Sequence, residues 1–312
     1  MDNKLIVSSS PHISAKKKTR DIMLDVIIAL CPAAIASIIL FGLDALLVII
    51  VSIVTCVLAE YVCRKIMKRE NTIGDLSAVV TGLLLALNMP SDIPLYVVVI
   101  GGLVAIVVIK QMFGGLGQNF MNPALGARVV LLVSFPTLMT SWVEPLSADA
   151  VSTATPLALI SAGTTEELPT YLEMFLGIRG GSLGETCILA LLIGGIYLIA
   201  RKVISPIIPV VYIAVVFIFS ACLGQDPLMM IMSGGLFLGA FFMATDYVTS
   251  PLTNKGKVIY AIGCGIVTVL IRTYGSLPEG VSYSIILMNV LTPLIERWTM
   301  PKAFGVRKEA KS

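Results

Sequence analysis

Apolar residues in this chain fall into long runs rather than amphipathic repeats. Ten can be counted: roughly 22–42, 45–63, 74–90, 93–110, 121–138, 184–200, 205–223, 228–246, 257–272 and 281–298. Most are about 16 to 21 residues long, enough or nearly enough for a helix to cross the hydrocarbon layer of a bilayer. The third run (Gly74 to Pro90) and the eighth are the least uniformly apolar, and read as interrupted or half-length spans. The pattern predicts an all-α polytopic membrane protein of about ten transmembrane helices.

The short polar intervals between the runs carry the topology. Basic residues cluster before the first run (Lys4, Lys16, Lys17, Lys18, Arg20), after the second ("RKIMKREN"), and at Lys110, Arg201, Lys202, Lys255 and Lys257. They cluster again after the last run, from Arg297 to Lys311. Every one of these intervals falls on the same side of the membrane, the side that the excess of lysine and arginine marks as cytoplasmic. Both termini are therefore expected in the cytoplasm. All but three of the 22 basic residues obey the count, and the exceptions are Arg128, Arg179 and Arg272.

Composition agrees with a lipid-embedded chain: 57% of the 312 residues are apolar and 13% charged, against about 25% charged in soluble domains. The net charge of +3 thus sets orientation and does not point to nucleic acid. The first run begins at Ile22 behind a basic tail and is long enough to stay as a span rather than be cleaved. The six cysteines lie in or at the ends of runs without a CxxC pair, and the one histidine, His12, sits in the tail. No metal site of the usual His/Cys spacing is expected.

The chain also resembles itself. "TGLLLALNMPSD" in the third run is answered by "GAFFMATDYVTSP" in the eighth, and "KQMFGGLGQNFMNPALG" by "RTYGSLPEGVSYSIILMNVLTP". Runs three to five then match eight to ten, implying two five-helix halves, 22–138 and 184–298, inverted with respect to each other. They lie between tails 1–21 and 299–312. Inverted repeats place ligand or ion pathways at their shared axis beside interrupted helices. Asn88, Asn122, Asp246 and Asn289 sit at the edges of the matched runs, with Arg128 and Asp25 deeper. Polar groups there either cap broken helices or line a path. Gly235 and Gly239 read as helix-packing positions.

The connection 139–183 is the longest and is expected outside. It holds Glu144, Asp149, Glu166, Glu167 and Glu173 against Arg179, and loops of this length are usually functional or disordered. Within it lies "ADAVSTATPL", residues 148–157. Asp149 or Ser152 suits a helix cap. A nucleophilic threonine is disfavoured, because the segment has no histidine or lysine to activate it. Attachment of a covalent cofactor to a threonine is a third reading, which spacing alone does not reveal.

The whole chain resembles the D subunit of the Rnf complex, a membrane ferredoxin:NAD oxidoreductase, and its homologue, the B subunit of the sodium-pumping NADH:quinone reductase. The tail "SSSPHI" and the blocks "GQNFMNPALGARVVLLVSFP", "FFMATDYVTSP" and "YGSLPEGVSYSIILMNVLTPLIE" carry the resemblance. In that family an Asp-x-x-Ser/Thr-x-Ala-Thr loop accepts flavin mononucleotide (FMN) through a phosphoester. The resemblance makes Thr155 the acceptor, with Asp149, Ser152 and Ala154 matching the motif. Thr153 stands where many members have glycine.

The resemblance further implies a noncovalent riboflavin within the membrane, which would sit near the repeat axis; an ion path past Asp246 and Asn122 is an expectation from the matched runs. The partners that the resemblance implies are a flavin transferase, membrane, flavin-bearing and iron–sulfur subunits, and sodium ions or protons. The location is the cell membrane of a prokaryote. The chain would be one component of a translocase, not catalytic alone. With no GxGxxG opening a βαβ unit and no ferredoxin-type cysteine run, NAD and iron–sulfur chemistry fall to partners. A urea-type solute channel, whose five-plus-five arrangement is similar, and a scaffold component without redox role stand as alternatives.

Overall fold

A computed structural model describes residues 18–146, 154–162, 168–275 and 279–301, and every regular element among them is a helix. The first, α1 (Thr19–Ile66), breaks at Gly42, where φ is 72° and ψ −146°. A side chain would be strained at that backbone and glycine is not. The break leaves legs over 19–41 and 43–66, each about 35 Å long, in the places of the first two runs.

The third run is not a full span. A 3₁₀ turn (Ile73–Asp75) leads into α2 (Ser77–Leu87), an 11-residue helix of about 16 Å. Asp75 Oδ1 accepts from the Ser77 N–H at 2.8 Å and from its hydroxyl at 2.6 Å, which fixes the start. The helix ends at Asn88, two residues before Pro90. Helix α3 (Leu95–Leu103) passes into a π-helical stretch, Val104–Gln111. Helix α4 (Pro123–Ser134) has 12 residues. Asn122 starts it, its side chain accepting from the Ala124 and Leu125 N–H groups, and Pro136 opens the short α5 (Pro136–Met139) beyond its end.

Two short helices, α6 (Pro156–Ala162) and α7 (Tyr171–Leu176), lie in the long connection. Then come α8 (Ile188–Ala200) and α9 (Ile207–Cys222). The eighth run is broken into α10 (Pro227–Met232) and α11 (Leu236–Leu238), the latter continuing as a second π-helical stretch, Gly239–Met243. Helices α12 (Asn254–Tyr274) and α13 (Val281–Thr299) close the order.

Both halves bury one shared core, which includes Leu30, Leu85, Leu125, Leu191, Tyr212 and Ile285. In it α1 packs on α2, α3 and α8, α12 on α9 and α13, and α4 reaches across to α13. The outside is equally apolar. Ile35, Ile39 and Leu43 on α1 are 57–76% exposed, and Val133, Ile196 and Ile218 are exposed on other helices. Aliphatic faces of that extent are not left to water, and among the described helices α1 and α12 are long and apolar enough to cross a membrane. These faces belong against lipid.

Two expectations need correction. Asn289 is not at a helix edge but inside α13, which continues through Pro293. Lys110 is not a loop charge but a buried member of the first π-helical stretch. The end of the connection 139–183 and the residues that follow pack into the body: 179–186 are all buried. There the main chain covers the end of α2, Gly184 N–H donating to Leu87 O (2.7 Å) and Leu183 N–H to Met89 O (3.0 Å). Gly184 allows that approach, since a Cβ on it would lie 2.6 Å from Leu87 Cβ. Irregular backbone is tolerated in such a body where protein buries and pairs it.

Candidate functional site

Of the sequence motif around the acceptor threonine, Asp149, Ser152 and Thr153 lie outside the described residues. Ala154 is exposed and Thr155 is buried at the start of α6. The Thr155 Oγ1 accepts from the Ala158 N–H at 3.2 Å, and its carbonyl accepts from the Leu159 N–H at 3.0 Å. The next turn of α6 rests on the break between α10 and α11. A Cβ built on Gly234, where φ is +64°, would lie 2.9 Å from Leu157 Cδ1 and 2.8 Å from Arg272 Nη2. Thr155 is therefore two residues from a side chain that packs beside Arg272.

Arg272 opens onto a buried charged cluster. Its guanidinium donates to Met230 O (2.6 Å) and Ser233 O (2.9 Å), capping the end of α10. Arg179 Nη2 donates to Glu185 O at 2.8 Å. Glu185 Oε2 and Arg128 Nη1 both face Gly235, 3.4 and 3.9 Å from where a Cβ would stand. Gly235 thus opens onto the cluster, whereas Gly239 is a packing position whose Cβ would press on Val281 Cγ1. Arg128 donates to Asn88 Oδ1 at 2.5 Å and pairs with Glu279. Arg128, Arg179, Arg272 and Glu185 are all more than nine-tenths buried. Among the described residues, three guanidiniums against two carboxylates leave the cluster a formal charge of +1. The Nε atoms of all three arginines, Glu185 Oε2 and Glu279 Oε1 have no hydrogen-bond partner among the described residues.

From Asn88 a polar run continues between the halves. Asn88 Nδ2 donates to Leu84 O at 2.6 Å and lies 3.7 Å from Met243 Sδ. Asn122 Nδ2 reaches Met243 O at 3.5 Å. With its amide turned to satisfy both ends, Asn289 donates to Tyr260 Oη (2.7 Å) and Ile285 O (3.2 Å) and accepts from the Asn122 N–H (3.3 Å). Asn122 also lines a cavity of about 100 Å³, together with Ser77, Thr81, Lys110, Asn119 and Asp246. Both π-helical stretches border this space, through Lys110 and through Phe241 and Phe242. The Asp246 carboxylate accepts from Val248 N–H at 3.4 Å and Thr249 Oγ1 at 3.3 Å, both close by in sequence. It has no ion-pair partner among the described residues.

Of the predicted residues, then, Asn88 and Arg128 touch, Asn122 and Asn289 touch, and Asp246 shares a cavity with Asn122. Asp25 stands apart, tied to Tyr197 (2.9 Å) and Arg201 (3.4 Å) on the α8 side. Sequence reasoning missed Glu185 and Glu279 in the cluster. It also missed a second buried pair at the cavity wall: Lys110 Nζ sits 2.9 Å from Glu60 Oε2 and 2.6 Å from Ser77 Oγ. Thr72 (2.8 Å) and Gln111 (3.0 Å) complete the shell of Glu60. One signal for the cluster was present: the three arginines outside the topology count are the three that meet there. Among the described residues no group of histidine, cysteine or carboxylates could hold a metal ion.

The family model for the NQR2, RnfD, RnfE family matches residues 6–305. The chain is 53% identical to the D subunit of the Na(+)-translocating ferredoxin:NAD(+) oxidoreductase complex of Acetobacterium woodii, over 99% of this chain and 98% of that protein. It is 47% identical to the D subunit of the proton-translocating complex of Clostridium ljungdahlii, over 98% of each. It is 36% identical to the D subunit of an ion-translocating oxidoreductase complex of Halorhodospira halophila, over 95% and 94%. With a match that runs from the N-terminal tail to the end of α13, this chain belongs to the NQR2, RnfD, RnfE family.

Proposed function

We propose that this chain is the D subunit of an ion-translocating ferredoxin:NAD oxidoreductase complex. In this reading it is a membrane electron-transfer subunit that carries FMN as a phosphoester on Thr155, attached by a separate flavin transferase. It assembles with the complex's other membrane, flavin-bearing and iron–sulfur subunits in a prokaryotic cell membrane. The loop bearing Thr155 faces outward, as the distribution of basic residues in the sequence indicates. The observation that carries the reading is the near-full-length identity to two D subunits of such complexes.

The arginine cluster, linked to Thr155 through Leu157 and Gly234, suits the phosphate of such a group, because a guanidinium-rich, water-poor site with excess positive charge favours a phosphate oxygen. When bound, the flavin accepts and releases electrons; the chain's own part is to hold it by its phosphate and exclude water. At 6% exposure, Thr155 is closed to a bulky transferase. Attachment therefore requires the 154–162 segment to lift from Gly234, or to be loaded before it settles there.

A noncovalent riboflavin near the repeat axis stays part of this reading: beside the cavity that holds Asn122 and Asp246 lies a second, of about 520 Å³, lined by Asn119, Tyr247 and Asn289, within the size range of small-molecule sites. The space of about 100 Å³ suits roughly three waters or a partly hydrated ion. Asn122, Asp246 and their neighbours are accordingly read as part of the path for sodium ions or protons.

Production of the full chain together with the transferase tests the tether. The wild-type chain and Thr153→Val gain the mass of one flavin mononucleotidyl group and fluoresce on a denaturing gel. Thr155→Val keeps the bare polypeptide mass. A fluorescent Thr155→Val band would overturn the assignment.

A further inference from the structure

We infer that Arg128, Arg179 and Arg272, held by Glu185 and Glu279, form the subsite that recognises the phosphate of the flavin nucleotide at Thr155. This deepens the proposed function and rests on it for the identity of the ligand.

The argument starts from charge. Five ionisable side chains from separate stretches of the chain meet in one buried place. Arg128 comes from α4, Arg272 from α12, Arg179 and Glu185 from the buried end of the long connection, and Glu279 from the turn before α13. Glu279 lies within electrostatic range of Arg128, Arg272 and Glu185. Two carboxylates cannot neutralise three guanidiniums, and an uncompensated charge away from water is unfavourable enough that an opposite charge is normally held against it. A phosphate joined to a threonine oxygen and to a ribityl oxygen is a diester with one negative charge, equal and opposite to the residual +1.

Hydrogen bonding points the same way. The three Nε–H donors are buried and without partners among the described residues. Bound guanidinium groups elsewhere in proteins use such donors for bidentate contact with phosphate. Placement adds the link to the acceptor: Leu157, two residues after Thr155, and Arg272 converge on Gly234. The Glu279 carboxylate and the Glu185 main-chain carbonyl orient two of the arginines, Arg128 and Arg179, while Glu185 Oε2 and Glu279 Oε1 have no hydrogen-bond partner among the described residues.

The test uses the full-length Thr155→Val chain in detergent, which forms no covalent bond, with FMN and riboflavin as probes followed by quenching of flavin fluorescence. FMN binds about tenfold or more tightly than riboflavin, since riboflavin lacks the phosphate and forgoes charge-assisted hydrogen bonds. Adding Arg272→Gln or Arg179→Gln removes that preference by weakening FMN alone, and Arg272→Lys restores most of it. If a glutamine variant does not yield monodisperse protein, inorganic phosphate replaces it as the probe: competition with FMN in the Thr155→Val chain supports the subsite. Equal affinities, no FMN binding, a preference that survives both glutamine substitutions, or no competition by phosphate overturns the inference. Failure of the tether is seen separately, as a bare mass for the wild-type chain produced with the transferase.

Discussion

Lys110 and Glu60 stand 50 positions apart in sequence and 2.9 Å apart in space, with side chains 2% and 0% exposed. Removing one partner of such a pair strands the other charge. Lys110→Met should lower stability by about 3–5 kcal/mol, whereas Lys110→Met with Glu60→Leu should lower it much less. Thermal unfolding of the three proteins in detergent checks this; equal losses in the single and double variants would refute it. No sequence pattern announces this pair, because Lys110 follows an apolar run and is indistinguishable there from a topology-setting lysine. The proposal for Thr155 comes only from resemblance to a family, since "STATP" on spacing alone is an ordinary helix cap. The arginines were legible as exceptions to a charge rule, and their carboxylate partners were not legible at all.

Half-length elements show where hydrophobic pattern and helix part company. The third and fifth runs are apolar over about 17 residues, yet α2 and α4 stop after 11 and 12. Hydropathy counts transfer from water, while a helix also needs unbroken backbone hydrogen bonds, which Pro90 and Pro136 cannot supply. The sequence "SGG" at 233–235 likewise breaks the eighth run between α10 and α11. Length and charge were enough to predict helices in lipid; their interruptions depend on single residues. Close packing of the elements is equally local. A Cβ on Gly194 of α8 would overlap the Ala29 carbonyl oxygen of α1, while one on Gly74 meets nothing within 4 Å. Gly194→Ala should therefore destabilise the chain by about 1–3 kcal/mol, by forcing α1 and α8 apart, and Gly74→Ala should shift the unfolding midpoint hardly at all. A Gly194→Ala protein as stable as wild type would show that the two halves do not depend on that contact.

Across the whole molecule, polar contacts run from Glu279 through Arg128 and Asn88 to Met243, and on through Asn122 to the cavity that holds Asp246. The run lies where the ends of α2 and α4 meet the π-helical stretch Gly239–Met243 and α13, among interrupted helices that leave backbone and side-chain oxygens inside the body. One end has an excess positive charge suited to a phosphate, and the other has a carboxylate without a cationic partner among the described residues. Under the proposed function the two ends have separate tasks: the arginine end would hold the phosphate of a flavin, and the carboxylate end would receive a cation. Asp246→Asn in the assembled complex should then lower ion-coupled turnover by about tenfold or more, the effect expected when a cation loses its one charged oxygen ligand. Covalent flavin content, read by mass, should stay at the wild-type level, because nothing at the arginine end is altered. Ion transport that persists in Asp246→Asn would place the path outside this cavity, and loss of flavin in the same variant would mean that the two ends are not separate.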